Sequence, residues 1–196
     1  MEQRKSFDAL TFGEIMLRLS PEINERIVGG DVFKKCAGGS ELNVSSGISL
    51  LGLRTGIISK LPRNEIGTFI KNRIRFCGVS DDYLVYDDGG DARLGIYYYE
   101  NGAHPRKPCV VYDRKNSSFN SIRLGEIPEE AYTGTRLFHT SGISLALSPR
   151  SREVTDEILR RFRKGGAKIS FDVNYRANLW SEDEARESVE KILPYV

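Results

Sequence analysis

Three observations predict an α/β fold, a doubly wound and mostly parallel sheet into which a small antiparallel sheet is inserted. Strand-like segments alternate with segments of helical period at both ends of the chain, which implies parallel strands covered by helices. Between about 83 and 115 the helical period disappears, and three β-branched or aromatic runs follow one another, split by Gly, Pro, Asp and Asn. The 196 residues are 39% hydrophobic and 29% charged with a net charge of +2, enough apolar material for a core and too balanced for a disordered chain.

In chain order, residues 7–19 read as a strand. Residues 21–35 are polar and turn-rich, ending in a short Asp31-Val32-Phe33-Lys34 piece. Gly38-Gly39-Ser40 precedes a helical pattern in Leu42, Val44, Ile48 and Leu51 that ends at Gly52. Ile57 and Ile58 mark a short buried strand over 55–61. From Glu65, the residues Ile66, Phe69, Ile70, Ile74 and Cys77 share one helical face, stopped by Gly78. The strand-only runs at 83–86, 93–100 and 109–114 make the small sheet, joined by residues 14–36. A hairpin centred on His104-Pro105 sets Tyr97 opposite Tyr112 and Gly95 opposite Arg114.

Alternation then resumes. Residues 137–143 form a buried strand, and a helix buries Val154, Ile158, Leu159 and Phe162. Residues 168–174 form a strand with Ile169, Phe171 and Val173 on one face. Ser181 and Glu184 make a capping box for a last helix with a stripe of Ala185, Val189, Ile192 and Leu193. Trp180 reads as a packing anchor before it.

Composition removes several function classes. The near-neutral charge lacks the basic footprint of a nucleic-acid binder. No run approaches the roughly 20 apolar residues of a membrane span, and residues 1–6 lead straight into strand-like sequence without a signal peptide. Cys36, Cys77 and Cys109 are odd in number and far apart, so they build neither a disulfide framework nor a metal pair; they read as reduced, buried thiols of a cytoplasmic protein. His104 and His139 are too few for a metal cluster, and His139 reads as a core histidine.

Three constellations carry chemistry. Gly38-Gly39 before a helix turns backbone N–H groups toward an oxygen-rich ligand, with the Asn43 amide one turn on; a tight turn accounts for the pair equally well. Tyr97, Tyr112 and Arg114 offer phenols for hydroxyls and a guanidinium for a carboxylate or phosphate, or else an ordinary solvated sheet face. Asp172, Asn174 and Arg176 alternate at the carboxyl end of a parallel strand, where ligands of open α/β sheets bind; the plain alternative is a turn with Arg176 paired to Asp172. Neither a dinucleotide fingerprint nor a P-loop is present.

In this order the pieces resemble the N-terminal portion of the ribokinase-like (PfkB) carbohydrate kinases. Gly38-Gly39-Ser40-Glu41-Leu42-Asn43 with the later Gly52 resembles the family's first signature. Residues 59–67 resemble a second segment, with Pro62 replacing its usual glycine. Gly13-Glu14, Gly95-Ile96-Tyr97, Tyr112-Asp113-Arg114-Lys115, residues 139–143, residues 172–176 and Leu179-Trp180 are similar to the 2-keto-3-deoxygluconate kinases of that family, although Asp113 stands where these often carry an aromatic.

The resemblance implies a ribokinase-like sheet with a β lid from segments near 14–36 and 83–115, and an ATP- and Mg2+-dependent kinase of a sugar acid. Gly39, Asn43, Tyr97, Tyr112, Arg114 and Arg176 would bind the sugar, Asn174 would lie toward the nucleotide, and the lid would also make a homodimer. The family's catalytic base is the Asp of a Gly-Ala-Gly-Asp motif that these 196 residues do not contain. The expectation is therefore a fold incomplete at the C-terminus, the base Asp beyond Val196, and a chain inactive alone. A fructokinase-like kinase of a neutral sugar and a non-catalytic carbohydrate-binding or dimerising module are the alternatives.

Overall fold

A computed structural model describes residues 5–196. In chain order β1 (Phe7–Phe12), β2 (Met16–Pro21) and β3 (Phe33–Gly38) lead to α1 (Ser40–Leu50), then β4 (Thr55–Pro62) and α2 (Glu65–Phe76). Three strands follow: β5 (Leu84–Asp87), β6 (Ile96–Glu100) and β7 (Cys109–Asp113). Next come a short α3 (Glu129–Thr133), β8 (Thr135–Ser141), α4 (Gly142–Ala146), α5 (Pro149–Lys164), β9 (Lys168–Asp172) and α6 (Glu182–Ile192).

The main sheet has the order β5-β4-β1-β8-β9 with every pair parallel. The second sheet has the order β3-β2-β6-β7. It is mixed rather than antiparallel, because β2 runs parallel to β6 while β2–β3 and β6–β7 are antiparallel. β5 leaves the expected small sheet altogether. α2 carries the chain across from β4, and that crossover returns β5 parallel to β4. The expected single strand over 7–19 is two strands in two sheets, broken at residues 13–15.

Packing divides about the main sheet. Ile57 and Leu61 of β4 pack with Leu42 of α1 and with Ile70 and Ile74 of α2 in one core cluster. Ile58, on the opposite face by the two-residue period, packs in another with Phe12, Phe138 and the Ile158, Leu159 and Phe162 of α5. The rings of Phe138 and Phe162 stack at 3.9 Å, and Trp180 closes this second cluster. α5 begins at a Ser148 cap whose Oγ accepts from the Ser151 N–H at 3.0 Å, with Pro149 at its first turn. α6 begins at the expected Ser181–Glu184 capping box. Its stripe is narrower than expected, since Leu193 lies in a terminal turn and is half exposed. None of the three cysteines is buried, in contrast to the expectation, and Cys109 is exposed on β7.

α1 docks by a mostly small and polar face around Leu42. Leu50 and Leu51 are exposed, and its buried residues are Glu41, Leu42 and Ser45. Ser45 Oγ sits 2.8 Å from Thr11 Oγ1 and accepts from Thr55 Oγ1 at 3.2 Å, so small hydroxyls seat the helix on β1 and β4. Glu41 is 2% exposed, and the Ser141 hydroxyl at the end of β8 donates to its Oε1 at 2.5 Å. Burial pushes this carboxyl from 4.5 up to about 7; Ser141 and the charge of Arg114 oppose the shift, and Asp172 adds to it. The folded state therefore holds a proton that the unfolded chain releases near pH 4.5. Stability is free of this penalty below pH 4.5 and falls as pH rises toward 7, by about 3 kcal/mol. Glu41→Gln removes the titration. Its unfolding free energy minus that of wild type should grow by about 3 kcal/mol between about pH 4 and 8 in chemical denaturation. A difference constant with pH would refute it.

Candidate functional site

The chain leaves the main sheet for the second sheet beyond β1 and beyond β5, in both cases at the carboxyl edge. A cavity of about 480 Å3 lies where the two sheets face each other. β2 lends it Met16 and Arg18, and the head of α1 lends Gly39, Ser40 and Asn43. Tyr97 and Tyr99 come from β6, Tyr112 and Arg114 from β7 and its exit, and Ile143 from α4. The segment after β9 supplies Asn174, Arg176 and Asn178.

Local structure explains each placement. Gly39 precedes α1 at φ +153° and has no side chain to cap the helix; a Cβ there would come within 2.8 Å of the Glu14 carbonyl oxygen. The first turn of α1 thus meets the cavity with backbone uncovered by a side-chain cap. The ladder pairs Tyr97 with Tyr112, as the hairpin arithmetic requires, and their rings stand 5.8 Å apart. Burial raises the Tyr97 phenol above its ordinary range, against the pull of Arg18, so its hydroxyl stays protonated at neutral pH.

Beyond β9 the backbone departs from the expected strand. It ends at Asp172, whose Oδ1 accepts from the Asn174 N–H at 3.0 Å, and Asn174 turns to φ +38°. Val173 is consequently half exposed instead of facing the core. The Asn174 amide donates to Ser40 Oγ at 3.2 Å, tying this turn to α1. The alternative pairing of Arg176 with Asp172 does not form. Arg176 makes no ion pair among the described residues, and its Nη1 donates to the Tyr175 carbonyl at 3.3 Å.

Arg114 is held from behind. Its Nε donates to Glu14 Oε2 at 2.9 Å, and its Nη2 pairs with the same carboxylate. Asp113, the neighbour on β7, pairs with Arg93 at 2.7 Å and lies outside the cavity lining.

The structure brings all seven sequence-derived residues, Gly39, Asn43, Tyr97, Tyr112, Arg114, Asn174 and Arg176, to one wall or another of this cavity. It adds Arg18, which the sequence reading missed. Arg18 sits 4.3 Å over the Tyr99 ring, and its Nε donates to Ser20 Oγ at 2.9 Å. The signal was available in the period of Met16, Arg18 and Ser20, but joining 7–19 into one strand hid which sheet they face. The lining holds three arginines and no Asp, Glu or Lys. Such a surface attracts an anion and offers phenol, amide and backbone groups to hydroxyls.

The sequence profile of the pfkB family carbohydrate kinases matches residues 7–196. The 2-dehydro-3-deoxygalactonokinase of Haloferax volcanii is 39% identical over 189 residues, covering 96% of this chain and 58% of that protein. The 2-dehydro-3-deoxygluconokinase of Bacillus subtilis is 30% identical over 175 residues, 89% of this chain and 53% of that one. The crystal structure of the 2-dehydro-3-deoxygluconokinase of Thermotoga maritima superposes with a TM-score of 0.91 at 36% identity, over 96% of this chain and 57% of that chain. The chain thus spans somewhat more than half the length of these relatives. Its profile, its sheet order and the ribokinase-like architecture it shares with them agree: the chain belongs to the PfkB family of carbohydrate kinases.

Proposed function

We propose that this chain is the sugar-recognising part of a kinase that phosphorylates a sugar acid of the 2-keto-3-deoxygluconate or -galactonate type. The observation that carries the reading is the lining of three arginines without a carboxylate. A neutral sugar gains nothing from that charge, which disfavours the fructokinase-like alternative. In the proposed complex, Arg176 and Arg114 take the substrate carboxylate. Gly39, Asn43, Tyr97 and Tyr112 take hydroxyls and the keto oxygen. The names of the Haloferax and Bacillus relatives, both kinases of 2-dehydro-3-deoxy sugar acids, support the same substrate class.

The family implies ATP as phosphoryl donor and Mg2+ as its companion. Mg2+ takes oxygen ligands, usually with one or two carboxylates. Among the described residues no group of three or more His, Cys, Asp and Glu could hold a metal ion, and the cavity lining has no carboxylate. These residues do not fit Mg2+, and no phosphoryl-transfer step is routed through them. Asn174, on the β9 side of the cavity, is the residue proposed to lie toward the nucleotide. A non-catalytic carbohydrate-binding module would show the same sugar affinity; phosphoryl transfer by a longer polypeptide containing the Gly-Ala-Gly-Asp motif separates the two.

A second copy of the chain is the proposed partner of the lid sheet. β7 is its edge strand and is exposed along its length, with Val110, Val111 and Tyr112 open to solvent. The three free cysteines support a reducing, cytoplasmic setting. No helix of the described residues is long and apolar enough to cross a membrane.

Calorimetry with 2-keto-3-deoxygluconate should show that Arg176→Ala weakens binding by about 1.5–3 kcal/mol, the scale of a charge-assisted hydrogen bond, while fructose binding changes less. Equal losses for both sugars would remove the carboxylate from the account. The purified 196-residue chain should sediment as a dimer at micromolar concentration and show no turnover in an ATP-coupled assay. A monomeric mass sinks the lid interface, and measurable turnover sinks the proposed division of labour.

A further inference from the structure

Glu14 is absent from the cavity lining, yet three passages of the chain between the sheets converge on its carboxylate. The first is its own, at the step from β1 to β2. The second is Gly95, just before β6, where a Cβ would come within 2.7 Å of Glu14 Oε1. The third is the exit from β7, where Arg114 holds Oε2 and the Ser117 hydroxyl donates to Oε1 at 2.5 Å. The Glu14 side chain is 1% exposed and that of Arg114 11%. Both carboxylate oxygens accept hydrogen bonds within the protein, and the side chain is buried outside the cavity lining.

A buried ion pair of this kind is weak evidence for stability, because desolvation offsets much of its attraction. Its consequence for recognition is plainer. Arg18, Arg114 and Arg176 line one cavity, and without a counter-charge they repel one another. Glu14 neutralises Arg114 from outside the lining and consumes its Nε–Nη2 edge. Nη1 makes no hydrogen bond among the described residues, and together with the second N–H of Nη2 it forms the edge left for a ligand. We propose that Glu14 is a positioning residue for substrate recognition, fixing Arg114 so that its free Nη1–Nη2 edge meets the substrate carboxylate. The proposal rests on the sugar-acid reading above.

A double-mutant cycle in calorimetry tests it, with 2-keto-3-deoxygluconate and fructose as probes on wild type, Glu14→Gln, Arg114→Gln and the double variant. Glu14→Gln should weaken the sugar acid about tenfold, the lower end expected for one charge-assisted bond, and fructose by less. In the Arg114→Gln background the same change should cost nothing more. Additive losses, or equal losses for the two sugars, overturn the proposal. If Glu14→Gln alone fails to fold, the double variant carries no uncompensated charge, and its comparison with Arg114→Gln decides the question. If wild type binds no sugar acid, the sugar-acid reading falls by itself. Positioning is then judged by the Arg114 Nε–H resonance, protected from exchange in wild type and unprotected in Glu14→Gln. An equally protected resonance in Glu14→Gln overturns it.

Discussion

The two sheets of this protein are separate hydrogen-bonded ladders, and the buried carboxylate of Glu14 is one tie between them, beside the apolar cluster that Leu17 of β2 shares with Ile57, Ile70 and Ile74. After β1 the Gly13 N–H still donates to the Ile58 carbonyl of β4 at 3.3 Å, Glu14 turns inward, and β2 begins in the other sheet two residues later. The same carboxylate receives Arg114 and Ser117 as the chain comes back from β7. A lid joined only by flexible connections would have many orientations over the body. This one is packed on the body through the cluster that Ile15 and Leu17 share with β4 and α2, and charge-assisted bonds at its root give the contact a direction. Under the positioning proposed for Glu14, the cavity owes the orientation of its exposed guanidinium edge to that contact.

A second buried carboxylate lies nearby and is treated differently. Glu41 also sits beneath the cavity, at the head of α1, but its partner is the Ser141 hydroxyl and not a cation. The cost of burying its charge therefore appears as a raised pKa, near 7. Glu14 makes the lid's positive charge tolerable. Glu41 keeps a proton and leaves the floor close to neutral below pH 7. The lining between them carries only positive side-chain charge, which is the physical basis for expecting an anionic sugar.

The parts of the architecture governed by local period were legible from residues alone. α2, α5 and α6 show their apolar stripes and α6 its capping box, β4 shows its paired isoleucines, and the Tyr97–Tyr112 register follows from the hairpin count. What failed were decisions made by tertiary contact. The break at residues 13–15 lies within an apolar run whose period does not reveal that the strand changes sheets. β5 resembles its lid neighbours in composition, and only pairing with β4 assigns it. α1 buries an acid and a serine beside Leu42 while Leu50 and Leu51 are exposed, which hydrophobic patterning reads only in part. Arg18 was missed for the first of these reasons, and Glu14 because its role depends on residues about a hundred positions away.

The central claim is that one ligand is gripped from both sides, by lid and body together. Hydrogen–deuterium exchange with and without saturating 2-keto-3-deoxygluconate tests it most directly. The account predicts added protection at 96–99 and 110–114 in the lid together with 39–43 and 174–178 in the body. Protection confined to one side, or appearing away from these segments, would contradict it.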